Sequence, residues 1–158
     1  MGAGKSAVGR YLARALHLTF VDSDDEIESR TGVDIPFIFE KEGEEGFRKR
    51  EAVVIDDLSK MDGVVLATGG GAILDANNRS RLGGRGFVVY LYTTVEQQVS
   101  RTKKGRERPL LENANPRDML KKLLEMRDPL YREIADIVVE TDGRKVKSVA
   151  DEVIEQVS

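Results

Sequence analysis

The chain opens Met1-Gly2-Ala3-Gly4-Lys5-Ser6-Ala7-Val8-Gly9-Arg10-Tyr11-Leu12, and the fold is decided there. Gly4-Lys5-Ser6 is the second half of a G-x-x-x-x-G-K-[ST] phosphate loop. Val8, Leu12, Ala15 and Leu16 give the segment behind it the single apolar face of a helix over Ser6–Leu16. Glycines let consecutive backbone N–H groups point at phosphate oxygens, and the helix N-terminus adds its positive end. Lys5 can reach the β- and γ-phosphates, and the Ser6 hydroxyl can ligate Mg²⁺. The alternative is a glycine-rich terminus with no fixed structure. The motif's first glycine, and the strand that precedes it, would fall before Met1. The expectation is a working enzyme longer than this chain, with a central position of its parallel sheet empty here.

Outward from the loop, strands and helices alternate. Leu18–Asp22, Val64–Thr68, Phe87–Tyr92 and Ile137–Thr141 are short apolar runs without clean alternation, as expected of parallel strands buried on both faces. Glu45–Lys60 carries Phe47, Val54, Ile55 and Leu58 at helical spacing, and Val95–Lys103, Pro116–Ala135 and Val146–Val157 follow suit. This order predicts right-handed βαβ units and an α/β layer fold. Pro129, inside one helical pattern, predicts a kink or break near Arg127-Asp128. Gly105–Pro116 has no apolar period and carries two prolines, so it reads as a long surface loop of the kind that forms lids.

Composition narrows the function. The 158 residues, 40% of them apolar, suit one domain with one core. A net charge of -3 argues against bulk nucleic-acid affinity, and the apolar runs are too short to cross a membrane. No cysteine is present, which excludes disulfides, a thiol nucleophile and a cysteine zinc site together. No secretory pattern opens the chain, so the expected setting is the cytoplasm. His17, where a helix hands over to a strand, reads as a capping or surface residue.

Three constellations carry the chemistry. Asp22 and Asp24 stand two residues apart at the C-terminal edge of a strand, where ligands of open α/β sheets bind. One could hold Mg²⁺ through water while the other meets a substrate hydroxyl. Helix capping, with Ser23 or Asp24 as N-cap, competes with that reading and accounts for Asp25 and Glu26. Next, the strand Val64–Thr68 runs into Gly69-Gly70-Gly71. Three glycines favour close backbone approach to a ligand, although a tight turn would need one or two. Lastly, Arg48 is either a solvated partner of Glu51 or, together with Arg127, half of a two-arginine clamp for a carboxylate. The stretch Arg101–Arg108 holds five bases in eight residues; a cationic lid over a triphosphate competes there with an RNA-binding or targeting patch and with a solvated loop.

The order of Gly2-Ala3-Gly4-Lys5-Ser6, Asp22-Ser23-Asp24, Gly46-Phe47-Arg48, Leu66-Ala67-Thr68-Gly69-Gly70-Gly71, Arg108-Pro109-Leu110-Leu111 and Arg127-Asp128-Pro129-Leu130-Tyr131 resembles the shikimate kinases over nearly the whole chain. The resemblance implies a nucleoside-monophosphate-kinase-like α/β/α sandwich of P-loop type, three layers around a five-stranded parallel sheet whose first strand this chain lacks. One domain would span 1–158, with a shikimate-binding helical region about 23–60 and a lid about 105–116. It implies transfer of the γ-phosphate of ATP to the 3-hydroxyl of shikimate, with ATP and Mg²⁺ as cofactors and a monomeric state. Gly2, Ala3, Gly4, Lys5, Ser6 and Ala7 would form the phosphate loop, with Arg101 and Arg144 near adenine. Ser6 would hold Mg²⁺, assisted through water by Asp22. Asp24 would meet the shikimate hydroxyls as the candidate base, Arg48 and Arg127 would clamp the carboxylate, and Gly69, Gly70 and Gly71 would line the same pocket. Lys5 and Arg108 would act on the transferring phosphate. Ala7 departs from the Thr or Ser usual in the family. The rivals are a gluconate or nucleoside-monophosphate kinase and a catalytically silent nucleotide-binding module.

Overall fold

Glycine at position 4 takes the left-handed conformation (φ 73°) and so turns the chain into helix α1, Lys5–Leu16, without a side-chain cap. His17 closes α1, also left-handed, its N–H returning to the carbonyls of Ala13 and Arg14. The computed structural model describes residues 4–104 and 116–157, with the backbone alone for 101–104 and 116. Strand β1 (Thr19–Asp22) leads into α2 (Ser23–Thr31) and α3 (Ile35–Ser59). Strand β2 (Val64–Ala67), a short 3₁₀ turn (Ala72–Leu74) and α4 (Ala76–Arg85) follow. Then come β3 (Val89–Tyr92), α5 (Val95–Lys104), α6 (Pro116–Ile134), β4 (Ile137–Glu140) and α7 (Val146–Val157).

The strands pair in parallel, β1 with β2 (Thr19 opposite Val64) and β3 with β4 (Val89 opposite Ile137). Among the described residues no ladder joins the two pairs, so the sheet layer is two ribbons. Successive side chains still sort the layers as strand geometry requires. Val65, Val89, Leu91, Ile137 and Val139 pack with Val8 and Leu12 of α1 and Val149, Ala150 and Val153 of α7. Val21 and Leu66 face the other way, into Ile27 of α2 and Ile38, Phe47, Val54 and Leu58 of α3. That is helix, strand, helix: the three-layer α/β/α arrangement. Gly9 brings α1 close to β1, since a Cβ there would lie 2.6 Å from the Phe20 ring.

The structure corrects several expectations. β4 is not buried on both faces: its Val138 is 37% exposed beside a buried Val139, the alternation of a strand with one wet side. The helical region begins earlier than Glu45, because α3 starts at Ile35 and bends at Gly43 (φ 73°). α4 went unpredicted. Its sequence, ANNRSRLGGR, has no apolar stripe, and polar ties hold it instead. Asp75 caps it, Asn78 donates to the Ala72 carbonyl, and Arg85 pairs with Asp56 at 2.7 Å. Pro129 does not break α6, which runs through it to Ile134. A lost backbone hydrogen bond there is offset by side-chain anchors, Asp128 to Tyr90 at 2.8 Å and Glu133 to Arg79 at 2.9 Å. Among the described residues no helix is long and apolar enough to cross a membrane.

Candidate active site

The site is built at the C-terminal ends of β1 and β2 beside the start of α1. Asp22, the last residue of β1, is itself the N-cap of α2: its Oδ1 accepts from the N–H groups of Asp24 (2.8 Å) and Asp25 (3.2 Å). The cap is therefore Asp22 rather than Ser23 or Asp24, and capping leaves the Asp24 carboxylate unused. Asp24 projects from the first turn of α2 against Gly69, where a Cβ would lie 2.9 Å from its Oδ1. That oxygen is buried without a hydrogen-bond partner. Burial, then the neighbouring Asp22 charge, pushes its pKa above the ordinary carboxylate range, while the Lys5 ammonium pulls the other way. Lys5 and the paired acids thus share one electrostatic neighbourhood.

Each glycine of the triple run faces a polar side chain. Beyond Gly69 and Asp24, a Cβ on Gly70 would lie 3.0 Å from Arg127 Nη1, and one on Gly71 only 2.3 Å from Arg48 Nη2. Three residues from three helices therefore converge on three consecutive glycines, which sequence distance alone could not show. The close approach of side chains explains the run better than a tight turn does. The Nε atoms of both arginines are buried and unpartnered, as is Asp24 Oδ1. Buried donors of this kind are costly unless an acceptor meets them. Two guanidinium groups and one carboxylate around a glycine floor suit a ligand bearing both an anion and hydroxyls.

Arg48 is no solvated partner of Glu51. Glu51 is 1% exposed and accepts from Arg48 Nη1 at 2.9 Å. Burial raises its pKa, with the Arg48 hydrogen bond opposing. Sequence reasoning missed three contributors. Glu51 pins Arg48. Ser23, fully buried, accepts from the Gly69 N–H at 3.4 Å and so ties α2 to the glycine run. Tyr131, one turn beyond Arg127, donates to the Gly70 carbonyl. The i,i+3 spacing of Arg48 and Glu51 and the i,i+4 spacing of Arg127 and Tyr131 were the available signals.

Other expected site residues lie elsewhere or outside the description. Gly4, Lys5, Ser6 and Ala7 form the entry to α1, with Ala7 exposed. Arg144 is spent on its own turn: Nη1 donates to the Glu140 carbonyl (2.9 Å) and Glu152 (2.8 Å), and Nη2 to the Ser148 carbonyl (3.0 Å). Arg101 lies on the α5 backbone, its side chain outside the described residues. Gly2, Ala3, Arg108 and the lid about 105–116 also lie outside them, apart from the 116 backbone.

A lysine-bearing glycine turn opening a helix, beside paired acids on an α/β/α core, defines a P-loop kinase that acts on a small molecule. The family model described as "Shikimate kinase" matches residues 1–158. A shikimate kinase from Shewanella sp. (strain ANA-3) is 57% identical over 156 residues, covering 99% of this chain and 91% of the relative. The solved structure of shikimate kinase from Acinetobacter baumannii in complex with shikimate superposes with a TM-score of 0.94 at 53% identity, covering 99% of this chain and 88% of that one. That from Aquifex aeolicus gives 0.87 at 38%, covering 99% and 91%. The chain belongs to the shikimate kinase family.

Proposed function

We propose that the chain transfers the γ-phosphate of ATP to the 3-hydroxyl of shikimate, giving shikimate 3-phosphate and ADP. The observation that carries this is the meeting of Asp24, Arg127 and Arg48 on Gly69, Gly70 and Gly71. The two arginines take the shikimate carboxylate, by the paired donors that lysine lacks. Asp24 accepts from the ring hydroxyls and receives the proton of the attacking 3-hydroxyl. Its raised pKa makes it a better base than an ordinary aspartate at neutral pH.

The phosphate loop, Gly2 to Ala7, holds the nucleotide, and Lys5 and Arg108 balance charge on the transferring phosphoryl group. Phosphoryl transfer needs positioning and charge neutralisation more than covalent help. Among the described residues no cluster of three or more His, Asp or Glu could hold a metal alone. The Ser6 hydroxyl and the Asp22 carboxylate nonetheless form an all-oxygen set of the kind Mg²⁺ takes with water and phosphate ligands. Ser6 would hold the ion and Asp22 would assist through water; the ion would supply positive charge at the phosphates. Arg101 flanks adenine, Arg144 borders it with the flat face of a guanidinium whose N–H groups are already taken by its own turn, and the lid about 105–116 shuts out water. The chain works as one domain over 1–158, with 23–60 as the shikimate-binding region, as a cytoplasmic monomer.

Coupled ADP release with shikimate, gluconate and CMP tests the substrate. Turnover with shikimate alone is expected. Turnover with either of the others would assign the chain to a rival acceptor, and release with none would make it a silent nucleotide-binding module.

A further inference from the structure

We propose that Tyr131 is a positioning residue for the two-arginine clamp, fixing through its hydroxyl the peptide plane that separates Arg127 from Arg48. The inference rests on the shikimate reading above. It starts from how rigidly Tyr131 is itself held. Its ring stacks on Tyr90 of β3 with centroids 4.7 Å apart. Tyr90 is buried and donates to Asp128 Oδ1 at 2.8 Å, and Asp128 Oδ2 takes Arg132 Nε at 2.9 Å. Arg132 in turn lies over the Tyr90 and Tyr92 rings, 5.8 and 5.5 Å from their centroids. β3 therefore fixes the last turns of α6 in a packed position, across the region where Pro129 removes a backbone bond.

From that fixed position the Tyr131 hydroxyl donates to the Gly70 carbonyl. A trans peptide is planar, so holding the Gly70 C=O also fixes the orientation of the Gly71 N–H. The two ends of this one peptide unit are the surfaces on which Arg127 and Arg48 rest, at Gly70 and Gly71 respectively. Glycines on both sides leave the plane free to swing, since neither residue has a Cβ to restrain it. Rotation would displace both resting surfaces and change the spacing of the guanidinium groups. A carboxylate bound by two arginines is sensitive to that spacing. The Tyr131 hydroxyl also meets the Arg127 side chain itself, so one group holds both the loop and the arginine that rests on it.

Tyr131→Phe keeps the ring and its stack and removes the bond. With one hydrogen bond lost, the shikimate KM should rise roughly tenfold, with the ATP KM unchanged. The thermal midpoint should stay near that of the unmodified chain. Gly70→Ala reads the same contact from the loop side, because its Cβ would lie 3.3 Å from the Tyr131 hydroxyl and 3.0 Å from Arg127 Nη1. It should give the same split, and because its methyl group also presses on Arg127 directly, the double variant with Tyr131→Phe reads the Tyr131 share: a shikimate KM no higher than that of Gly70→Ala alone is expected, and full addition of the two rises would overturn the inference. A lowered midpoint with both KM values unchanged would make Tyr131 merely structural, and equal rises in both KM values would mean general loosening; either overturns the inference. The unmodified chain in the same assay separates the two levels: if it does not phosphorylate shikimate, the functional reading falls, and this inference with it.

Discussion

Gly71→Ala is the sharpest perturbation of the clamp, because it adds one methyl group and leaves the backbone content. Gly71 sits at φ -89°, ψ -1°, a conformation open to alanine. Its Cβ, however, would lie 2.3 Å from Arg48 Nη2 and 2.7 Å from Cζ and Nη1. The guanidinium must retreat by about 1 Å to reach an ordinary contact. It cannot swing freely, since Nη1 is bonded to the buried Glu51 carboxylate at 2.9 Å. A displacement of about 1 Å in a substrate-positioning group costs roughly 10²-fold, or about 2.7 kcal/mol of transition-state stabilisation. The expected result is a loss of about that size in kcat/KM for shikimate, with the ATP KM and the thermal midpoint nearly unchanged. Steady-state kinetics by coupled ADP release, each substrate varied in turn, measures it. A Gly71→Ala protein with normal shikimate kinetics would refute the placing of Arg48 over the glycine floor as a substrate contact.

Further outcomes follow from the same geometry. Glu51→Ala removes the buried partner of a half-buried arginine, so unfolding by urea should show a loss of about 3 kcal/mol together with a raised shikimate KM; wild-type stability would mean the pair is solvated after all. The raised pKa of Asp24 has two consequences of opposite sign. Activity, which needs the carboxylate, should rise with pH through that raised value, whereas Asp24's contribution to stability is full below the ordinary 3.8 and is lost as pH rises through the same window. Titrating kcat/KM and the thermal midpoint in parallel checks this; Asp24→Asn should remove the activity and weaken the midpoint's dependence, leaving the share of Glu51, which burial also raises. Arg108→Ala should lower kcat while barely changing the ATP KM, which steady-state kinetics distinguishes from ground-state binding, where the ATP KM would rise.

Much of the fold was legible because burial imposes period: the four strand segments match to within about two residues, and α1, α5, α6 and α7 followed from their apolar stripes. α4 was not, because Asp75, Asn78, Arg79 and Arg85 hold it by polar contacts that no hydrophobic spacing reports. Pro129 misled in the other direction, since its local penalty is real but Asp128, Tyr131 and Glu133 anchor the helix on both sides of it. Candidate site residues could be named one by one from the sequence, but which of them meet could not be read there. Arg48 and Glu51 read as a surface pair because i,i+3 spacing says nothing of burial. That Arg127, more than fifty residues beyond the glycine run, rests on Gly70 is a property of the tertiary fold. Asp22 showed the limit of choosing between alternatives, for it is the N-cap of α2 and the residue proposed to assist Mg²⁺ through water.

The central claim is that two arginines and one aspartate on the glycine floor read shikimate by its carboxylate and hydroxyls. The most direct measurement is the preference for shikimate over its methyl ester, as a ratio of kcat/KM values, in the unmodified chain and in Arg48→Ala/Arg127→Ala. Losing a doubly paired carboxylate should give a ratio on the order of 10² in the unmodified chain, falling to near unity in the double variant. Equal use of acid and ester by the unmodified chain would contradict the account.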